Sequence, residues 1–316
     1  MKYMQKHALK YLEAVGYKAR IAPVDCLDDI ARSLDRTHQS GFFDEGFFQE
    51  RLTHFQFGAG NVLPGARSIF VVSMRQPHYR FCFTLNGTAL MFLVPPTFLF
   101  ASEANRSLEK CLNDFLRSAG YRATVAVLPA KQLAVRTGLA RYGRNSITYA
   151  KGWGSYHRLA CLISDMPCDE YEWSEAALLD RCDACRVCEK LCPTNAIGDP
   201  RTLLRADRCL TYWNEMPADT DFPEWLDPSW HGNLIGCLRC QDACPENRLV
   251  DKWIIDMGSF DEIETRTLLE YTSAQELPPA LESKLSAAGL IDILEVFPRN
   301  LRALVECANR ERNRSL

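Results

Sequence analysis

Eight cysteines between positions 182 and 244 carry the most specific chemistry of this 316-residue chain. Cys182, Cys185, Cys188 and Cys192 stand in the run C-x2-C-x2-C-x3-C, closed by Pro193. Cys237, Cys240 and Cys244 repeat it as C-x2-C-x3-C, closed by Pro245, with Leu234 where the first cysteine would stand. Soft thiolates match iron bound to sulfide, and two-residue spacing lets a tight loop aim consecutive sulfurs at one centre. In such a run three thiolates wrap one iron–sulfur cube and the fourth reaches a neighbouring cube. Each cube needs four thiolates, and Cys209 is the one cysteine of the segment outside the two runs. The spacing therefore predicts two 4Fe–4S clusters. The first takes Cys182, Cys185, Cys188 and Cys244; the second takes Cys192, Cys209, Cys237 and Cys240. The alternative is two zinc sites, since C-x2-C pairs also hold zinc. Zinc leaves the two C-x3-C-P endings unexplained.

Two cubes in crossed ligation pass single electrons, and about 170 residues in front of them need a purpose. No G-x-G-x-x-G and no P-loop supports a dinucleotide or ATP site. The stretch 115–164 contains no Asp or Glu but holds Arg117, Arg122, Lys131, Arg136, Arg141, Arg144, Lys151 and Arg158. In a chain of net charge −3 this local excess points to an anionic cofactor or substrate, or to ion pairs with other segments. Within it, the four glycines of GLARYGRNSITYAKGWGSYHRL permit close backbone approach to a ligand. Tyr142, Tyr149 and Tyr156 are candidate proton donors there, beside His157; each also suits a core or rim position. The remaining cysteines, 26, 82, 111, 161, 168 and 307, are scattered and read as small buried hydrophobes, with Cys168 in a polar stretch as the exception to watch.

The elements that must position this chemistry follow from periodicity. Residues 3–15, 26–34, 103–119 and 131–140 read as helices; 68–74, 121–128 and 157–164 read as strands. Alternating helices and buried strands imply a layered α/β domain over 1–175. A small cluster domain follows over 176–252, and a helical tail over 253–316. The fold class is α+β. The stretch 81–102 holds no charge, but Asn86-Gly87 and Pro95-Pro96 interrupt it, so it reads as strand, turn and cavity wall rather than a membrane span. The FFDEGFF run at 42–48 reads as a packing or lid element. His38 approaches a lower cobalt-ligand motif with wrong spacing and reads as surface. The N-terminus shows no apolar leader, so a cytoplasmic location is expected.

Four stretches give the chain a resemblance to the corrinoid-dependent iron–sulfur reductases, that is, the epoxyqueuosine reductases and, more distantly, the reductive dehalogenases. TGLARYGRNS looks like the family's glycine loop, and HRLACLISDMPCD like the strand before the clusters. RADRCLTYWNE looks like the segment supplying the isolated cluster cysteine, and HGNLIGCLRCQDACPENR like the second run. FPRNLRALVE in the tail is also similar, so the resemblance covers about residues 115–310. It implies a nitroreductase-like cofactor domain, a bacterial ferredoxin-like double-cluster domain and base-off cobalamin. Gly138, Leu139, Tyr142, Gly143, Arg144, Asn145, Ser146, Gly154 and His157 would meet the cobalamin. An external low-potential donor of ferredoxin or flavodoxin type would supply electrons. Family members carry an acidic proton donor upstream of the loop; Thr124–Pro129 here holds no carboxylate. The chain thus reads as a corrinoid-dependent reductase of a small organic or nucleoside substrate, with tRNA epoxyqueuosine disfavoured. The alternatives are a cluster-only electron-transfer protein and a nucleic-acid-binding module.

Overall fold

The structure, a computed structural model of the chain, describes residues 2–198, 203–217, 219–272 and 275–315. In chain order the first part runs α1 (Lys2–Ala14), β1 (Lys18–Pro23), α2 (Cys26–Gln39), α3 (Glu45–Arg51), α4 (Ala59–Val62), β2 (Ser68–Arg75), β3 (His78–Leu85) and β4 (Thr88–Val94). Then come α5 (Ala101–Leu116), β5 (Ala123–Ala126), α6 (Ala130–Arg136), β6 (Arg141–Tyr142), β7 (Thr148–Tyr149) and β8 (His157–Ser164). The cluster segment holds only the short helices α7 (Val187–Leu191), α8 (Leu210–Asn214) and α9 (Arg239–Asp242). After it follow β9 (Ile254–Phe260), α10 (Glu262–Glu270), α11 (Pro279–Ala287) and α12 (Phe297–Ser315).

A four-stranded antiparallel sheet in the order β1-β2-β8-β5 forms the frame. Successive strand residues point to opposite faces, and helices cover both. Phe70, Val72, Met74, Ala160 and Leu162 pack with α1 and α5 through Leu12, Leu108 and Leu112. Ile69, Val71, Cys161 and Ile163 face the other way, onto α2 and α6 through Leu27, Ile30 and Leu133. Because both faces of β2 and β8 are covered, both strands read as continuous apolar runs. Helix α5 ends in a short 3-10 turn with Gly120 left-handed at its cap, as the sequence suggested.

The uncharged stretch folds as the β3–β4 hairpin, turned by Asn86 and Gly87, both at positive φ. Pro95 and Pro96 then form part of a cavity wall. No helix among the described residues is long and apolar enough to cross a membrane. The part after the clusters differs from a purely helical tail: it opens with β9, which pairs in parallel with β3 from His78↔Ile254 to Phe83↔Phe260. β9 is an edge strand with alternately exposed and half-buried residues, so it lacks the apolar pattern that announces a strand. Phe83 stacks on Phe260 at 4.8 Å, and both join Phe297 in a second core shared by the hairpin and α10–α12. The boundary near 253 is therefore not a packing boundary.

α12 also fastens the cluster segment. Buried Arg299 donates to the carbonyls of Trp213, Met216, Pro217 and Thr220 at 2.5–3.0 Å. Asn300 donates to the carbonyls of Asn214 and Leu234. Arg299→Met would strand several buried acceptors and is expected to lower stability by roughly 3 kcal/mol, read as a drop in urea midpoint that Arg299→Lys only partly restores.

Three buried histidines, His78, His157 and His231, are pushed down to about 4, in each case chiefly by burial. All fold neutral, whereas in the unfolded chain they titrate near 6.5. Between those values the unfolded state binds more protons, so stability falls as pH drops from about 6.5 towards 4. Neither nitrogen of His78 has a hydrogen-bond partner among the described residues, and the ring packs edge-on against Tyr156 at 4.7 Å. His78→Phe is expected to flatten this pH dependence, measured as the difference in urea midpoint between about pH 7.5 and 5.5.

Candidate functional site

Cys188 lies on α7 and Cys240 on α9, and these two short helices pack against each other. Cys182, Cys185, Cys188 and Cys244 line one small cavity. Cys192, Cys209, Cys237 and Cys240 line a second, larger cavity of about 460 Å³. Each fourth cysteine, 192 and 244, thus leaves its own run and joins the other. Cys209 reaches the second set from the N-terminus of α8. Burial pushes the Cys188 and Cys237 thiols up to about 11 and raises Cys240 further. Thiolates in such surroundings need the positive charge of bound metal to persist.

The glycine loop meets both cavities through part of its length. Asn145 is buried and lines both, its amide donating to the Tyr149 hydroxyl at 3.0 Å. Gly143, Arg144 and Tyr149 line the small cavity, and Arg144 donates to the Cys182 carbonyl at 2.8 Å. A Cβ on Gly143 would lie 2.5 Å from Asn145 Oδ1 and 2.6 Å from Tyr149, which explains the glycine. His157 lines the large cavity with both ring nitrogens engaged, by Ser73 Oγ at 2.8 Å and the Thr148 carbonyl at 3.1 Å.

The rest of the loop makes contacts within the protein. Gly138, Leu139, Tyr142, Ser146 and Gly154 line neither of these cavities. Leu139 is drawn into the apolar core beside α6. Tyr142 pairs with Thr148 in the β6–β7 ribbon. Ser146 Oγ accepts from the Leu204 N–H at 2.9 Å. Gly154 sits at φ +55, and any Cβ there would strike the Asn247 amide. Asn247 in turn accepts from Ser155 N at 2.9 Å and donates to Ser155 Oγ at 2.8 Å, which locks the loop to the cluster segment.

The candidate proton donors are also displaced. None of Tyr142, Tyr149 and Tyr156 lines the large cavity. Tyr156 donates to Asp242 at 3.2 Å. Burial raises all three phenols above their usual range. The carboxylate on the large cavity is Glu215, just after α8, which sequence reasoning missed. Burial pushes its pKa up, and Arg51 stands 3.5 Å away. Its only signal in the sequence was its place in RADRCLTYWNE, six residues after Cys209. The run at 42–48 packs at the same corner: Phe47 meets Tyr212 edge-on, and Tyr212 donates to Glu50 at 3.0 Å. His38 stacks on Phe48 and bonds Glu45 at 2.7 Å, away from any cluster.

Half of the eight basic side chains of 115–164 are paired with acids. Arg117, Arg122, Arg136 and Arg141 meet Asp114, Asp165, Asp29 with Glu175, and Asp180 respectively. Lys131 and Arg158 line the large cavity. Arg158 donates to the carbonyls of Thr97 and Leu99. Lys131 makes no hydrogen bond or ion pair among the described residues. Burial lowers its pKa, while Cys209, Glu215 and Cys240 act in the opposite direction.

Comparison with known proteins agrees with this geometry. Residues 181–247 match the family described as 4Fe-4S double cluster binding domain. An epoxyqueuosine reductase of Cyclobacterium marinum is 33% identical over 141 residues, covering 44% of this chain and 44% of that protein. The aligned stretch thus spans less than half the length of the curated relatives it matches. The solved epoxyqueuosine reductase of Streptococcus thermophilus superimposes with a TM-score of 0.67 at 18% identity, over 96% of this chain and 81% of that one. A crystal structure of epoxyqueuosine reductase with an epoxyqueuosine-modified tRNA stem loop gives 0.65 at 19%, over 97% and 82%. Likeness at this identity concerns the fold. Residues 181–247 are thus a 4Fe–4S double cluster binding domain, set in a chain with the fold of the epoxyqueuosine reductases.

Proposed function

We propose that the chain is an iron–sulfur reductase that moves single electrons from an external low-potential donor into its large cavity. Cys182, Cys185, Cys188 and Cys244 hold the entry cluster. Cys192, Cys209, Cys237 and Cys240 hold the exit cluster. The observation that carries this reading is the sorting of eight cysteines into two crossed sets, of which one lines the 460 Å³ cavity. Four thiols spread around a cavity suit a cube; a zinc ion draws its sulfurs to within about 2.3 Å of one point.

Base-off cobalamin is the acceptor of this reading: the polar lining of the cavity suits it, while a volume of about 460 Å³ does not hold a whole corrinoid. When bound, it supplies a strongly reducing cobalt centre. Asn145, Thr148, Ser155 and Arg158 offer polar groups to its amide-bearing rim, and His157, with both nitrogens occupied, leaves no imidazole free to ligate cobalt from the protein side. Glu215, kept protonated to higher pH by burial, is the group placed to supply a proton where Thr124–Pro129 has none. The substrate is then a small organic or nucleoside compound. A second reading, a cluster-only carrier that reduces a partner, is favoured by the modest cavity: drug-sized ligands alone take roughly 300–1,000 Å³, and a corrinoid is larger.

Metal analysis of anaerobically purified protein, incubated with hydroxocobalamin and desalted, tests these readings. The expected result is about eight iron and about one cobalt per chain. Eight iron without cobalt selects the carrier, and zinc in place of iron overturns both. Cys209→Ser is expected to remove roughly half the iron and leave the signal of one cluster intact. Loss of both clusters would contradict the assignment. Anaerobic incubation with an epoxyqueuosine-modified tRNA stem loop and a reductant is expected to leave the epoxide unreduced.

A further inference from the structure

The large cavity is bounded on one side by the stretch that follows β4. Pro95, Pro96, Thr97 and Phe98 all line it. The backbone of this stretch is strained, with Thr97 at φ +89 and Phe100 at φ +56. Glycine adopts such angles freely, and a β-branched threonine avoids them. Strain of this kind persists where the surroundings impose it. Here they do so from three sides. Arg158 donates to the carbonyls of Thr97 and Leu99. Phe100 packs edge-on against Tyr79 at 5.3 Å. The Phe98 ring lies against the backbone of Gly236, where any Cβ would stand 2.5 Å from it. Gly236 is itself pinned, since its N–H donates to Asn214 at 2.8 Å and its carbonyl accepts from Asn214 at 2.7 Å. The next residue is Cys237 of the second set.

We infer that Phe98 sets the size of the ligand this cavity admits, and that a ligand as large as a corrinoid enters only when Phe98 is withdrawn from Gly236. The inference deepens the reading of the cavity as the acceptor site and rests on it. The space of about 460 Å³ is too small for a whole corrinoid. A cube on Cys192, Cys209, Cys237 and Cys240 takes part of that space as well. Room for a large ligand must therefore come from the lining. Several lining groups are fixed: His157 is held at both ring nitrogens, Arg239 donates to the Trp230 carbonyl, and Leu238 is buried. Phe98 carries the one phenyl ring on this wall and is only half-buried. No hydrogen bond can hold such a ring in place. The strain at Thr97 and Phe100 favours its departure, and the Arg158 clamp opposes it. A site that admits its ligand only from an open arrangement binds more weakly by the fraction of time it spends open. A small acceptor needs no such movement.

The test is hydroxocobalamin binding to the iron-loaded full-length chain, wild type beside Phe98→Ala and Phe98→Trp. Corrin absorbance after rapid mixing gives the association rate and affinity, and cobalt retained after desalting gives the stoichiometry. Phe98→Ala is expected to associate at least about fivefold faster than wild type and to bind correspondingly tighter. Phe98→Trp is expected to associate more slowly, with iron content equal in all three. Equal rates and affinities at full iron content would overturn the inference and leave the acceptor reading standing. Weaker binding by Phe98→Ala would also overturn it, since Phe98 would then be a contact of the ligand rather than a barrier to it. Cobalt retained by Phe98→Ala alone would bear out the size limit and remove the corrinoid as the acceptor of the wild type. Cobalt retained by none of the three would overturn the acceptor reading and the inference with it. Should Phe98→Ala lose its iron, Phe98→Trp carries the test, and an unchanged rate in it is the overturning result.

Discussion

The exchange of Cys192 and Cys244 is the constraint on which the rest of the molecule depends. Each departs from its own run and lines the cavity of the other. Neither site can be complete unless α7 and α9 lie side by side, and short helices of five and four residues cannot hold that arrangement alone. The surrounding chain supplies the fixation. Asn145 stands between the cavities, Asn247 locks Ser155, and Arg299 gathers four carbonyls of residues 213–220. A segment with little apolar core of its own is thereby held by polar contacts from both sides.

Electrostatics explain how a strongly basic stretch fits an acidic protein. Carboxylates just outside the stretch or from distant segments meet Arg117, Arg122, Arg136 and Arg141, so about half of the excess visible along the chain is paired in space. Of the rest, Lys131 and Arg158 line the large cavity and Arg144 the small one. The division between structural and functional cations is one of partners rather than of position in the sequence.

Much of this was legible in the residues. The cysteine sets follow from the repeated run, whose last cysteine reaches the neighbouring cube, and the one outlier was identifiable by count. β2 and β8 were legible because both faces are buried, and the hairpin turn because Asn-Gly favours positive φ. β1 and β9 were not: both are edge strands, and β9 is held by its pairing with β3 more than by its own pattern. Nearness to a glycine loop says nothing of direction: Tyr149 lines the small cavity, and none of the three tyrosines lines the large one. Glu215 was hidden for the converse reason. It reaches the cavity from a distant segment, and only tertiary packing reveals it.

The partnership of β3 with β9, and of residues 213–220 with α12, has a consequence for biosynthesis. Domains form as their parts leave the ribosome, early segments first. Here the hairpin at 78–94 waits for a strand about 170 residues later, and the Cys209 region waits for Arg299 and Asn300. The contacts that fasten residues 213–220 are therefore complete only once α12 has left the ribosome.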